Sequence, residues 1–401
     1  MEQRFLPRMS PGLIRVAESA RKIPKRKLLS LAHHLDVEAL RRAFKRIRSD
    51  AAVGVDGVTK EAYGESLESN LQDLHGRLKT MQYRHQVIRR VYIEKEGGKQ
   101  RPIGISCLED KIVQDSLREL LEAVYEQDFL ECSYGFRPGR SAHDALRALN
   151  QAIRHGRANW LIEADIVSYF DRIDRSKLKD LLEQRIADKS LMRLIGKCLH
   201  VGVLEAGVEL LPETGTVQGS TLSPLLANVY LHYVLDVWFE DEVRPQLKGD
   251  AVLIRYCDDF VIGCARQDDA EQVMQWLRER LGNFGLTLHS DKTRLLDNRR
   301  PHREHRKKGP STFDFLGFTH YWRRTILDGR WQPACKTRVG RLRRAKRAVE
   351  AWCKRHRHQA IKEQHAALVR RIQGHINYFG VRGNLHSLDL LIHSASRSWF
   401  K

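Results

Sequence analysis

Residues 251–265 read AVLIRYCDDFVIGCA, and this stretch decides the fold of the chain. Two apolar runs with strand character flank residues 256–259, which contain Asp258 and Asp259 side by side. A short turn between the runs predicts a tight β-hairpin that carries both carboxylates at its tip. Adjacent acids in apolar surroundings repel each other and lose hydration, so they normally need a cation. A lone acidic pair in a turn is, however, more often simply solvated.

A third carboxylate follows another apolar run, WLIEADI at 160–166, where Asp165 ends the predicted strand. If this strand and the 251–265 hairpin are neighbours in one sheet, Asp165, Asp258 and Asp259 converge. Carboxylates with few other ligands suit Mg²⁺, which keeps several waters and bridges substrate phosphates. Two such ions about 4 Å apart activate a 3′-hydroxyl and stabilise a leaving pyrophosphate. The set therefore predicts metal-dependent nucleotide transfer.

The charge of the chain points to a polyanionic partner. Its 401 residues contain 70 Lys and Arg against 50 Asp and Glu, a formal net charge of +20. Residues 299–401 hold 25 basic and 6 acidic side chains and residues 1–50 hold 13 and 5, whereas 51–298 carries a net charge of −7. An acidic body between basic flanks fits a metal-using centre held against a phosphate backbone. The alternative is a basic surface that only aids solubility.

The sequence also excludes several classes of protein. No apolar run reaches the roughly 18 residues that span a bilayer, and residues 1–26 lack the apolar core of a secretory signal. The seven cysteines are odd in number and contain no CxxC pair, which argues against a zinc site or a disulfide framework. We therefore expect a cytoplasmic protein with reduced thiols and no membrane partner.

Helical and strand patterns intermingle along the chain and predict an α+β fold. Residues 87–93 and 101–105 are predicted strands joined by the turn EGGK at 96–99, which gives a hairpin with a basic tip. Helical periodicity covers 108–125 and 142–153 and returns over most of the basic C-terminal part.

These features lie within a series of longer motifs. The YCDD stretch resembles the YxDD box of reverse transcriptases, and ADIVSYFD at 164–171 resembles their upstream aspartate motif. GTVQGSTLSPLLAN at 215–228 is similar to a segment of group II intron reverse transcriptases, and RRIQGHINYFG at 370–380 resembles the thumb signature of maturases. Further matches are KQRPIGI at 99–105, YGFRPGRS at 134–141, LTLHSDK at 286–292 and FLGF at 315–318. From about residue 31 onward, the chain is identified as a member of this family.

The resemblance implies a right-hand polymerase fold, in which an antiparallel palm sheet carries the YxDD hairpin. We expect residues 1–50 to form a basic helical N-terminal extension, 51–320 the fingers and palm, and 321–401 a basic helical thumb. The resemblance also implies a bacterial RNA-directed DNA polymerase that uses dNTPs and an RNA/DNA template–primer duplex. Its expected partner is a structured RNA, either an intron or a dedicated non-coding RNA.

The catalytic residues are implied by motif position. Asp165, Asp258 and Asp259 become the acids that bind two Mg²⁺ ions, which Mn²⁺ can replace, and the carbonyl of Ile166 becomes a further ligand. Lys292 is placed to protonate the leaving pyrophosphate as a general acid, or only to contact backbone phosphate.

Four residues are expected, again from the resemblance, to bind the incoming nucleotide. Lys99 and Arg101 on the basic hairpin would grip the triphosphate, where a fork-shaped guanidinium suits phosphate oxygens. Gln218 should lie against the nucleotide. Phe170 matches the bulky gate that excludes a ribose 2′-hydroxyl, with plain burial in the core as the alternative for this aromatic side chain.

Basic residues in two further places are expected to hold template or primer backbone rather than to read bases. Arg137 and Arg140 belong to the YGFRPGRS motif. The second place is a helical cluster near the C-terminus, which consists of Arg341, Arg343, Arg344, Lys346 and Arg347.

Two positions depart from the family pattern: Cys257 stands where these enzymes usually carry alanine, and Val217 where they usually carry proline. With Lys401 as the last residue, we expect no room for the DNA-binding and His-Asn-His endonuclease domains of some intron proteins. A defence-associated reverse transcriptase that copies a dedicated non-coding RNA therefore stays open. An RNA-binding splicing cofactor without polymerase activity and a non-specific RNA-packaging protein also stay open, although the complete acidic set argues against a vestigial site.

Overall fold

The computed structural model describes residues 9–94, 100–205, 208–210, 214–216, 219–301, 311–325 and 328–400. They form an α+β fold of small sheets and surrounding helices. The helices are α1 (Pro11–Lys22), α2 (Val37–Arg46), α3 (Lys60–Gly64), α4 (Leu67–Lys79), α5 (Leu108–Tyr125), α6 (Ala142–Arg154), α7 (Tyr169–Arg172), α8 (Arg175–Glu183), α9 (Lys189–Leu199), α10 (Ser223–Leu231), α11 (Gln267–Asn283), α12 (Val339–His356), α13 (Ile361–Phe379) and α14 (Leu385–Phe400). The strands are β1 (Ile88–Glu94), β2 (Gln100–Ile105), β3 (Trp160–Asp165), β4 (Val203–Glu205), β5 (Val208–Leu210), β6 (Ala251–Tyr256), β7 (Asp259–Cys264), β8 (Arg294–Asp297), β9 (Phe313–Phe315), β10 (Phe318–Arg324) and β11 (Trp331–Thr337).

The central sheet has the order β6-β7-β3-β8, and each neighbouring pair is antiparallel. The hairpin predicted from residues 251–265 is confirmed: Tyr256 pairs with Asp259, and only Cys257 and Asp258 lie in the turn. Strands β3 and β7 occupy the middle of this sheet, so the predicted strand that ends at Asp165 is the direct neighbour of the hairpin.

Helices cover both faces of the central sheet. Successive residues of β3 show this: Ile162 packs into the main core, which also contains residues of α5, α10 and α11, whereas Leu161 packs into a second core with residues of α6 and β10. Because neither face meets water, these strands read as continuous apolar runs instead of alternating apolar and polar residues.

The helical segment that begins at Ser223 changes its geometry part-way. After α10 the chain continues as π-helix over His232–Val237 and Phe239–Val243. π-Helical turns are rare and are often found near functional sites. Here the first of these turns carries Asp236, which is completely buried.

Two smaller sheets flank the central one. The first has the order β2-β1-β4-β5. It contains the hairpin predicted for residues 87–105, whose two strands are confirmed and whose tip, residues 95–99, lies outside the described residues. The second has the order β11-β10-β9 and leads into α12, α13 and α14, which pack around a core of their own. We call these three helices the C-terminal bundle.

The domain division expected from the sequence remains a prediction, but one boundary can be compared with the elements. The division between residues 320 and 321 falls inside strand β10, and the C-terminal bundle begins only at Val339. At the other end, α1 and α2 both pack on α5. Among the helices that the structure describes, none is long and apolar enough to cross a membrane.

Candidate active site

Two neighbouring strands bring the acidic residues together. Asp165 is the last residue of β3 and Asp259 the first residue of β7, and the two are directly opposed in the antiparallel register. Residues opposed in this way have Cβ atoms about 4.5–5.5 Å apart. Asp258 precedes Asp259 in the hairpin turn. The three carboxylates therefore meet at one end of the central sheet.

The turn that carries Asp258 is strained and closely supported. Cys257 has a φ of 59°, a left-handed conformation that residues other than glycine rarely adopt. Gly135 of the YGFRPGRS motif lies behind it, so close that a Cβ at position 135 would be 2.5 Å from the Cys257 amide nitrogen. Only glycine permits this approach of the two backbones, and the contact ties the motif to the acidic turn.

Asp259 lies in a crowded position at the mouth of the site. One side of the residue is exposed, yet the surrounding protein atoms remove part of the hydration of its carboxylate. This desolvation, together with the charges of Asp258 and Asp165, raises the pKa of Asp259 to about 7. The Leu316 N–H donates a hydrogen bond of 3.4 Å to Oδ2 of Asp259, which offsets only part of the effect. A nearby cation would favour the charged form of this carboxylate.

Lys292 already supplies one cation to the acidic cluster. Its ammonium group forms a hydrogen-bonded ion pair with Oδ2 of Asp165, while the Lys292 side chain remains 61% exposed. The preceding chain is also fixed to β3, because the His289 N–H donates to the Asp165 carbonyl over 2.8 Å. The structure therefore places the residue expected to act as a general acid next to the acidic cluster.

The backbone after Asp165 directs a carbonyl to the same place. Ile166 faces Leu288 in an antiparallel bridge, whose hydrogen bonds use the Asp165 carbonyl and the Val167 N–H. In this pattern the N–H and C=O of the bridging residue itself point to the opposite edge. That edge is the one on which β7 and the acidic turn lie. The backbone geometry is thus compatible with the Ile166 carbonyl as a metal ligand.

These groups suit Mg²⁺ better than a metal that needs a closed protein cage. In the part of the chain that the structure describes, no three Asp, Glu, His or Cys side chains are arranged to hold a metal by themselves. Mg²⁺ usually takes one or two carboxylates and completes its shell with waters and substrate phosphates. Asp165 and Asp259 provide such a partial set, so the residues present fit this ion.

Tyr169 and Phe170 are adjacent on α7 but have different surroundings. Tyr169 is buried, and its hydroxyl donates to the Ala227 carbonyl over 2.6 Å. Phe170 is only partly buried, with its ring centroid 5.4 Å from that of Tyr169. Tyr169 is therefore a core residue, whereas Phe170 packs against the edge of the same core and retains an accessible part.

The residues expected to bind the nucleotide are only partly described. Arg101 is exposed on β2. Burial raises the pKa of Asp171, and the nearby positive charges of Arg90 and Arg101 oppose this rise. The basic hairpin is therefore close to the end of α7. Lys99 and Gln218 lie outside the described residues. Gly219 packs on β2 so closely that a Cβ there would be 2.4 Å from a carbonyl oxygen of that strand.

The part of the chain that holds this site matches a known family. The profile described as reverse transcriptase (RNA-dependent DNA polymerase) matches residues 93–320, which is more than half of the chain and includes all three acids. The chain belongs to the reverse transcriptase family. The matched domain is that of an RNA-directed DNA polymerase, a nucleotidyltransferase.

Individual relatives of this reverse transcriptase indicate the group II intron type. It is 38% identical over 191 residues to the group II intron-encoded protein LtrA of Lactococcus lactis, across 47% of this chain and 32% of that protein. It is 35% identical over 272 residues to protein YkfC of Escherichia coli, across 60% of this chain and 71% of that protein. A nuclear intron maturase 4 of Arabidopsis thaliana is 25% identical over 177 residues, across 44% and 21%. The chain thus spans about a third of the length of the Lactococcus protein.

One residue expected to contact nucleic acid has another role in this reverse transcriptase. Arg137 is buried, forms an ion pair of 2.7 Å with Glu126, and donates to the carbonyls of Leu130 and Ser133. Its guanidinium holds its own loop together, so its assignment to backbone phosphate is corrected to a structural one. Arg140 of the same motif pairs with an exposed partner, Glu131, and remains a candidate contact.

The C-terminal basic cluster lies on α12 of the reverse transcriptase. Most of its members are exposed, as expected for side chains that attract a polyanion. The exposed members are Arg341, Arg343, Arg344 and Arg347, and Lys346 is partly buried.

Sequence reasoning missed a buried charged group beneath the acidic turn. The side chains of Arg255 and Asp236 are both 0% exposed, and Arg255 Nε donates to Asp236 Oδ1 over 2.7 Å. Arg255 Nη1 also donates to the Asn228 side chain over 2.9 Å and to the Cys257 carbonyl over 3.0 Å. Asn228 in turn donates to the Gly135 carbonyl over 2.6 Å. The one signal in the sequence was an arginine inside an apolar strand, where its charge must find a partner.

Proposed function

We propose that this reverse transcriptase copies a structured RNA into DNA by nucleotidyl transfer at Asp165, Asp258 and Asp259. The observation that carries the proposal is the direct opposition of Asp165 and Asp259 across β3 and β7, with Asp258 one residue away. Both strands are buried in the middle of the central sheet, so the positions of these carboxylates are fixed before any ligand binds. Two Mg²⁺ ions, when bound, would supply activation of the primer 3′-hydroxyl and neutralisation of the pyrophosphate charge.

The protein groups around the acids hold the reactants and move one proton. Asp165, Asp258 and Asp259, with the carbonyl of Ile166, would hold the cations. Lys292 carries its protons at Nζ, next to the Asp165 carboxylate. We assign it the donation of one proton to the pyrophosphate oxygen as the bond between that oxygen and the α-phosphorus breaks. Contact with backbone phosphate alone remains the alternative role. It predicts that Lys292→Met weakens primer binding strongly and lowers kcat only slightly.

Selection of the nucleotide would depend on the segment that follows Asp165. Phe170 retains an accessible part beside the buried Tyr169, which supports its role as the gate against a ribose 2′-hydroxyl. Arg101 would bind the triphosphate from the neighbouring hairpin, since its charge already acts on Asp171. Lys99 and Gln218 keep their proposed nucleotide contacts from motif position.

We propose an intron RNA as the template and partner. The Lactococcus relative is named a group II intron-encoded protein, and the Arabidopsis relative is named an intron maturase. The exposed basic side chains on α12 would hold the phosphate backbone of the RNA and of the template–primer duplex. RNA and cDNA that copurify from native cells test this choice, because an excised intron and a short dedicated template differ in sequence and length.

Primer extension on an RNA template with dNTPs and Mg²⁺ tests the polymerase proposal. Asp258→Asn and Asp259→Asn are expected to lower cDNA synthesis by more than about thousandfold, because each removes a charge needed for transition-state stabilisation. Asp180→Asn, on the exposed side of α8, is the matched control and should behave as wild type. An inactive wild type, or equal synthesis by the Asp258 and Asp259 variants, would contradict the proposal and leave the splicing-cofactor role.

A further inference from the structure

The thumb-like signature RRIQGHINYFG at 370–380 has no part in the chemistry proposed above, yet one of its residues reaches the acidic site. The hydroxyl of Tyr378, near the end of α13, donates to the Leu316 carbonyl over 3.0 Å. The N–H of the same Leu316 donates to Oδ2 of Asp259 over 3.4 Å. A single residue therefore connects a helix of the C-terminal bundle to a carboxylate of the proposed metal site.

The connecting residue lies in a strained turn. Leu316 and Gly317 form the two-residue loop between β9 and β10, and their φ angles are 52° and 80°. Two positive φ angles define a type I′ turn, in which asparagine or glycine is the usual first residue. A leucine disfavours this conformation because its Cβ crowds the following carbonyl. Contacts outside the turn must therefore help to maintain the backbone conformation of Leu316, and the hydrogen bond from the Tyr378 hydroxyl to the Leu316 carbonyl is one of them.

Tyr378 is itself held on both sides. Its carbonyl is hydrogen-bonded to Nε2 of His143 on α6 over 2.7 Å. The next residue, Phe379, accepts a hydrogen bond of 2.8 Å from the buried side chain of Asn384. Burial raises the pKa of the Tyr378 hydroxyl, and the nearby Tyr256 and Asp259 raise it further, so the hydroxyl keeps its proton and remains a donor at neutral pH.

We propose that Tyr378 is a positioning residue for Asp259: its hydroxyl fixes the carbonyl of Leu316 and thereby the conformation of this residue, whose own N–H orients the Asp259 carboxylate of the proposed metal site. The inference rests on the proposed polymerase function, because it assigns Asp259 to metal binding. It also gives the C-terminal bundle a direct influence on the active site, since any displacement of the end of α13 displaces the donor to Asp259. Tyr378 needs no contact with substrate in this role.

Tyr378→Phe tests the proposal because it removes only the hydroxyl. The affinity of the nucleic-acid-free protein for Mn²⁺ should weaken about three- to tenfold, as expected for one lost hydrogen bond. The electron paramagnetic resonance signal of free Mn²⁺ measures this affinity. In primer extension kcat should fall by a similar factor, with KM for dNTP and template–primer affinity unchanged. Tyr321→Phe, which removes a hydroxyl from β10 of the same small sheet, is the matched control and should change neither quantity.

A double-mutant cycle distinguishes positioning from a general effect on the fold. In an Asp259→Asn background, Tyr378→Phe should cause no further loss of Mn²⁺ affinity, because its target is already gone. Equal Mn²⁺ affinity of wild type and Tyr378→Phe, measured well below both melting temperatures, overturns the proposal. Weaker template–primer binding with an unchanged kcat also overturns it. A wild type that binds Mn²⁺ but makes no cDNA contradicts the polymerase function alone, and the Mn²⁺ comparison still decides the role of Tyr378.

Discussion

Arginine has opposite surroundings in the central sheet and in the C-terminal bundle. Arg255, at the end of β6, is completely buried and bonded to Asp236, whereas four of the five basic residues of the α12 cluster are exposed. A buried guanidinium must keep its partner, because an unpaired charge in a low-dielectric interior is very costly. An exposed one keeps its hydration and attracts phosphate over a distance that salt limits. The same residue type thus supports geometry in one region and affinity in the other.

The largest expected effect follows from breaking the buried pair. Arg255→Met leaves the Asp236 carboxylate without its ionic partner and removes the donor to the Cys257 carbonyl. We expect the free energy of unfolding to fall by about 3–5 kcal/mol, the usual cost of an uncompensated buried charge. Urea denaturation measures this change, and the loss of support for the acidic turn should lower cDNA synthesis as well.

Arg244→Met is the matched control for this substitution. Arg244 pairs with Glu240 one helical turn away, and its side chain is 43% exposed. An exposed pair of this kind contributes less than about 1 kcal/mol. The double variant Arg255→Met with Asp236→Leu should regain part of the lost stability, since it removes both charges together. If Arg255→Met lowers the free energy of unfolding no more than Arg244→Met does, burial does not distinguish the two kinds of arginine.

The second effect concerns the discrimination between dNTPs and rNTPs by Phe170 beside the central sheet. Phe170→Val should raise the use of rNTPs relative to dNTPs by about ten- to hundredfold, because a smaller side chain no longer excludes the 2′-hydroxyl by contact. Competition between dCTP and CTP in primer extension measures the ratio. Tyr169→Phe, which removes the buried hydrogen bond to Ala227, should lower stability but leave the ratio unchanged. A constant ratio in Phe170→Val would return Phe170 to a core role.

The sequence could predict the residues that strand patterns and motifs place, but not the partners that tertiary packing selects. The acidic hairpin follows from residues 251–265 alone, and the opposition of Asp165 to Asp259 follows from two apolar runs that share a sheet. Arg137 and Arg255 could not be assigned in this way. Their partners, Glu126 and Asp236, lie 11 and 19 residues away, the first directly after α5 and the second on a π-helical segment, and no motif reveals which way either side chain faces. The left-handed Leu316 and its contact with Tyr378 depend likewise on tertiary packing.

The third effect is a pH dependence of metal affinity, which should arise from Asp259 on the central sheet. Desolvation and neighbouring carboxylates raise the pKa of Asp259 to about 7. Because the deprotonated carboxylate is the ligand, metal affinity should strengthen as the pH rises through this value. Between pH 6 and pH 8 the ionised fraction of such a group grows about tenfold, and Mn²⁺ affinity should grow by the same factor. Isothermal titration calorimetry of the nucleic-acid-free protein with Mn²⁺ measures the affinity at each pH. In the Asp259→Asn variant the affinity should hardly change with pH.

The smallest effect should come from a single arginine on α12. Arg347→Gln removes one exposed charge, so RNA affinity at low salt should fall about threefold and the slope of log K against log salt should decrease by about 0.7–0.9. Filter binding over a salt series measures both, with Arg193→Gln on the exposed side of α9 as the control.

Arg137→Gln should give the opposite pattern, a lower stability with an unchanged slope, because its guanidinium is already bonded to Glu126. If instead Arg137→Gln reduces the slope and Arg347→Gln does not, phosphate is bound at the YGFRPGRS loop, and exposure on α12 is no guide to where the RNA lies.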